Sequence, residues 1–146
     1  MRKFDHEGLL LASFQAELFE DSVTKALCSS PLFFKWFSTS DIAKELDTKH
    51  SALIDLNKKS VFEILNKECN DSNSVGEIFD ASTMFWLGYI YRYICYTRQC
   101  STEFVFNLIP PSELRYRYYV YHTQSEEWAI NRILETKGLT EEIFNK

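Results

Sequence analysis

Phe85-Trp-Leu-Gly-Tyr-Ile-Tyr-Arg-Tyr-Ile-Cys-Tyr96 decides the fold class. On a helix of 3.6 residues per turn, Met84, Leu87, Tyr91, Ile94 and Cys95 form one stripe, and Phe85, Tyr89, Arg92 or Tyr93, and Tyr96 form a second beside it. A helix that is apolar nearly all round is buried on most sides, so a central helix is predicted over 78–98. Gly88 costs that helix about 1 kcal/mol against Ala, which points to close approach of another helix or a ligand. Arg92, between two tyrosines, has to reach solvent, pair with a carboxylate, or meet a partner's acidic group, because an unpaired buried guanidinium is too costly. Two readings of the Tyr/Arg stripe stay open. It is core, with tyrosine hydroxyls reaching polar partners, or it is a partner surface.

Outward from this segment the punctuation suits helices. Four glycines and three prolines, with no Asn-Gly or Asp-Gly dipeptide, leave little material for hairpins. A first helix is predicted from about Gly8 to Cys28, followed by Ser30-Pro31 as a cap and first helical position. Ser40 to Leu46 reads as a short serine-capped helix, and a fourth runs from Ser51 to Cys69, with a break near Asn57. Asn70 to Gly76 is the clear loop. After the central helix, Ser101 caps a helix ending before Pro110-Pro111, Ser112 caps another through Tyr121, and Ser125 with its two acids opens a helix to about Thr136. Gly138 fits a stop. Residues 139–146 are one more turn or a loose tail, in which Leu139, Ile143 and Phe144 pack on the core or are displayed to a chaperone. The run 114–121 (LRYRYYVY) also reads as a strand by β-propensity. The expectation is an all-α, single-domain bundle of six to eight helices spanning 1–146.

The chain's 146 residues and 45 % apolar content suit one globular core. No run approaches the length of a membrane span, and Asp5 and Glu7 interrupt any leader-like start, so a cytoplasmic protein without membrane contact is expected. Cys28, Cys69, Cys95 and Cys100 fit no zinc spacing, and none of His6, His50 and His122 is placed to complete one, so neither metal nor cofactor is expected. P-loop, dinucleotide, zincin and nucleophile-elbow motifs are missing.

Charge is uneven. Residues 1–80 balance to −5, whereas 81–146 balance to zero and hold five of the six arginines and all eight tyrosines. Tyr and Arg are enriched at protein interfaces, where they bury area and keep a polar tip. Candidate partner contacts are Tyr89, Arg92, Tyr93 and Tyr96 on the central helix, and Arg115, Arg117, Tyr118, Tyr121 and His122 beyond it. Single-stranded nucleic acid is a weaker candidate, because residues 81–123 carry four arginines, two glutamates and no lysine.

Ser30-Pro31 with Phe33 and Phe37, Ser40-x-x-Ala43-x-x-x-Asp47, Trp86-x-Gly88-Tyr89-x-Tyr91-Arg92-Tyr93, Thr97 and Ser101, Tyr121-His122-Thr123 and Ala129-Ile130 together carry a resemblance. Over about residues 30 to 134 the chain resembles small bacterial proteins encoded beside ADP-ribosyltransferase-like toxins and taken to be their antitoxins. The resemblance implies a toxin partner and neither an enzyme nor a cofactor. Arg98-Gln-Cys100 departs from it, since a Gly-containing turn is expected between Thr97 and Ser101. The function expected is an antitoxin, in a toxin–antitoxin and phage-defence setting, that covers its toxin by direct binding. The alternatives are an enzyme reversing the toxin's modification through His122, Thr123 and Glu103, and a nucleic-acid-binding regulator.

Overall fold

In the computed structural model α5 (Ala81–Arg98) packs backbone against backbone on α1 (His6–Lys25), and Gly88 sets the contact. A Cβ on Gly88 would lie 2.7 Å from the carbonyl oxygen of Gln15 and 2.8 Å from the Cα of Ala16. The glycine is needed because another backbone lies against it. Gln15 Nε2 donates to the Gly88 carbonyl across the same contact at 3.0 Å. The structure describes residues 1–48, 57–68 and 76–145. The expectations placed on His50, Ser51, Cys69 and the loop over 70–75 lie outside them.

Around this pair stand α2 (Ser30–Ser38), α3 (Asp41–Thr48), α4 (Lys58–Glu68), α6 (Thr102–Leu108) and α9 (Glu126–Thr136). Between α6 and α9 the chain forms a continuous helical run. It comprises α7 (Pro111–Leu114), a 3-10 turn (Arg115–Arg117) and α8 (Tyr118–Tyr121). Counting that run as one, the described residues form eight helices, a short 3-10 turn at Glu141–Phe144 and no strand. The stretch 114–121 is therefore helical, its β-propensity overridden by packing that buries Leu114 and Tyr121. Met84, Leu87, Tyr91, Ile94 and Cys95 are all buried, as their helical stripe requires. Phe19 of α1 sits edge-on to Phe33, Phe34 and Phe37 of α2 at 5.2, 5.6 and 4.9 Å, and Phe106 of α6 closes the same aromatic cluster.

Several caps fall where the hydroxyls predict. Ser40 Oγ accepts from Ala43 N at 3.1 Å, Ser101 Oγ from Phe104 N at 3.1 Å, and Ser125 Oγ from Trp128 N at 3.1 Å. Four boundaries move. The central helix α5 begins at Ala81, after Asp80, rather than at Ile78. Asp5 caps α1, which ends at Lys25 rather than Cys28. Ser29, not Ser30, caps α2, because the Ser30 hydroxyl is engaged across the core by the backbone N–H of Phe79 at 2.9 Å. The run to Tyr121 starts at Pro111, with no side-chain cap from Ser112. Gly138 stops α9 at φ +67°.

The end of α5 explains the sequence's departure from a glycine turn. Gln99 adopts the left-handed conformation, φ 52° and ψ 51°, that ends a helix and favours glycine. Gln99→Gly should relieve that strain, offset by the greater freedom of glycine in the unfolded chain, and raise stability by about 0.5–1 kcal/mol in urea denaturation.

Residues 139–145 are not a loose tail. Phe144 packs edge-on to Phe104 at 6.2 Å, and Glu141 binds the Arg98 guanidinium at 3.1 and 2.7 Å. Arg98 is buried and also meets Glu127 through two parallel bonds of 2.9 and 3.1 Å, so it ties α5 to α9 and to the chain's end. Deleting 139–146 should therefore destabilise the fold by about 2 kcal/mol, through the lost Phe144 packing and the half-stripped guanidinium. An unchanged melting temperature would return the tail to the surface.

Candidate functional site

Arg92 meets the second of its three possible fates. It is 1 % exposed and its fork is engaged on three sides. Nε donates to Gln15 Oε1 of α1 at 2.8 Å, Nη1 to Asp47 Oδ1 of α3 at 2.6 Å, and Nη2 to Thr102 Oγ1 of α6 at 2.7 Å. Asp47 in turn accepts from the Thr102 hydroxyl at 2.7 Å and from its N–H at 3.1 Å. One guanidinium thus ties four helices into a closed polar knot.

The other candidate contacts divide in the same way. Tyr96 is buried, its hydroxyl donating to Asp5 Oδ1 at 2.6 Å, and Tyr121 is buried edge-on to Trp128 at 5.3 Å. Arg92, Tyr96 and Tyr121 are therefore buried and not surface contacts, and the polar groups of Arg92 and Tyr96 find their partners within the chain. Tyr93 is half-buried against Phe4, with ring centroids 4.2 Å apart, and burial together with Glu127 pushes its phenol up to about 12. Arg115 pairs with Glu77 at 2.7 Å and lies 4.2 Å over the Phe79 ring, and Arg117 lies 6.0 Å over Tyr121. Much of the Tyr/Arg interleaving is used for internal pairing.

The remaining three come together. Tyr89, Tyr118 and His122 line an open groove of about 490 Å³ between α5 and α8, with Phe85, Trp86, Ser82 and Gln124, and with Glu20 and Glu126 also in its lining. Trp86 stands edge-on to Tyr118 at 6.1 Å, and the His122 ring stacks on Tyr118 at 4.3 Å. His122 Nδ1 lies 2.7 Å from the Tyr118 carbonyl, which can only accept, so Nδ1 carries a proton and donates it there. Tyr119, whose ring meets that of Tyr118 at 5.4 Å, is 74 % exposed, and Phe85 within the groove is 37 % exposed. Trp86 and the two glutamates were absent from the candidates read in sequence. Two aromatic pairs at i,i+4 spacing, Phe85/Tyr89 and Tyr118/His122, are the signal that marks the face. Of the residues assigned to a reversing enzyme, Thr123 and Glu103 do not line this groove with His122.

A second cleft, of about 510 Å³, opens over the polar knot and is lined by Arg2, Asp5, Asp47, Arg92, Cys95 and Cys100 among others. Cys95 and Cys100 carry free thiols. Burial pushes the Cys95 thiol up, while its hydrogen bond to Cys100 holds that thiol below its ordinary value. No group of His, Cys, Asp or Glu among the described residues is arranged to hold a metal ion. At the cleft's rim the Tyr96 hydroxyl, and then the Gly8 N–H, hold the Asp5 carboxyl below its ordinary 3.8. A depressed folded pKa contributes stability that is complete above the unfolded value and lost as pH falls through the folded one. The melting temperature of Asp5→Ala should therefore lie below wild type by a constant amount down to about pH 5, and the gap should close below about pH 4.

Comparison with protein-family models, curated proteins and solved structures finds no match for this chain. None of the helices among the described residues is long and apolar enough to cross a membrane.

Proposed function

We propose that this protein is an antitoxin that neutralises an ADP-ribosyltransferase-like toxin by stoichiometric binding, with the α5–α8 aromatic face as its docking surface. One observation carries the reading. Trp86, Tyr89 and His122, which belong to the motifs that resemble such antitoxins, line one open aromatic groove, whereas Gly88, Arg92 and Asp47 from the same motifs are consumed in packing. Exposed aromatic side chains around a concave centre are what an interface anchor provides. The groove alone is smaller than a stable interface of roughly 1,600 Å², so the exposed Tyr116, Tyr119 and Val120 are assigned to its surround. The acid-rich N-terminal half would steer the protein toward a basic toxin at low salt.

The test is purification from the native operon with the mass of the complex, followed by titration of toxin activity. Binding predicts a complex with the neighbouring toxin and neutralisation that is complete only at equimolar amounts. Neutralisation at substoichiometric amounts would assign the protein to a reversing enzyme instead.

A further inference from the structure

The aromatic groove is lined by five rings, the His122 imidazole included, and by two carboxylates, Glu20 of α1 and Glu126 of α9, with neither a lysine nor an arginine among its lining residues. Ring faces present negative electrostatic potential, and two carboxylates beside them deepen it. Neighbouring acids on the same helices are neutralised within the chain. Glu17 pairs with Lys58, and Glu127 with Arg98. Among the described residues Glu20 and Glu126 have no such cation, although Glu126 is close enough for its charge to act on Tyr89. The site has the parts of a cation receptor.

We infer that the groove takes an arginine side chain of the protein partner, its guanidinium lying against Trp86 and Tyr118 and its N–H groups directed at Glu20 and Glu126. A planar guanidinium suits this better than an ammonium, because it stacks on rings while donating in its own plane. The inference rests on the docking reading for the nature of the occupant and adds the chemistry by which that occupant is recognised.

Titration of the whole protein with the peptide acetyl-Gly-Arg-Gly-amide, followed by NMR on the Trp86 indole N–H and the Tyr118 ring, tests it. The same peptide with citrulline in place of arginine keeps the shape and removes the charge. Saturable shifts confined to the groove are expected, with the citrulline peptide at least about fivefold weaker, and E20Q/E126Q should erase that preference while leaving the melting profile intact. Equal binding of the two peptides, shifts only in the Asp5–Asp47 cleft, or no shift at all would each overturn the assignment. The two levels fail separately. A toxin complex that Phe85→Ala with Tyr119→Ala disrupts, but without arginine preference, removes the cation site and keeps the docking face. Arginine preference without any toxin complex does the reverse.

Discussion

Arg92→Met should cost about 3–5 kcal/mol, a large part of the roughly 5–15 kcal/mol that holds a domain of this size together. The loss is not one hydrogen bond. Removing the guanidinium leaves Asp47 as a carboxylate facing only Thr102, and strips Gln15 Oε1 of its donor in the α1–α5 contact. Asp47→Ala should cost a similar amount from the other side, leaving a guanidinium that is 1 % exposed without its counter-charge. The double variant should lose less than the sum, because neither member then leaves a buried charge alone. Arg92→Lys should not rescue, since an ammonium cannot serve Gln15, Asp47 and Thr102 together. Urea denaturation of the four chains checks this. Losses below about 1 kcal/mol in the single variants would show that the knot is not structural.

Gly88→Ala should destabilise by about 1–3 kcal/mol, although alanine is the better helix former by about 1 kcal/mol. The two nearest atoms that the new Cβ meets are main chain, so no rotamer change relieves the overlap and α1 has to move away from α5. That movement also lengthens the Gln15–Gly88 bond and shifts the partner of Arg92 Nε. A Gly88→Ala chain as stable as wild type would mean that the crossing is loose.

What was legible in the sequence was local. The stripe on α5 was readable because its period is that of a helix, and Ser40, Ser101, Ser125 and Gly138 were readable because caps and left-handed stops act within a few residues. Ser29 was misassigned to Ser30 because both can cap, and only Phe79, 49 residues away, claims the second hydroxyl. Arg92 was confined to three fates by energetics alone. Choosing among them required Gln15 and Asp47, 77 and 45 residues distant, and no local pattern announces such pairs.

The site divides on the same principle. Tyrosine and arginine have the same composition whether their partners lie inside the chain or outside it. Arg98 between Glu127 and Glu141, and Tyr96 on Asp5, satisfy themselves within the fold. Tyr89, Tyr118 and His122 remain at an open surface, and Trp86 joins them one turn from Tyr89. The same sequence motifs supply both sets: Gly88, Arg92 and Asp47 serve the packing, and Trp86, Tyr89 and His122 line the open face.

The most direct measurement is native mass spectrometry of the protein co-expressed with the ADP-ribosyltransferase-like toxin proposed as its partner, for wild type and for Phe85→Ala with Tyr119→Ala, beside their melting curves. Both substituted side chains are exposed, so the fold should hold. The account predicts an equimolar complex for wild type and separate proteins for the variant at a nearly unchanged melting temperature. A variant that retains the complex would place the docking surface elsewhere and contradict it.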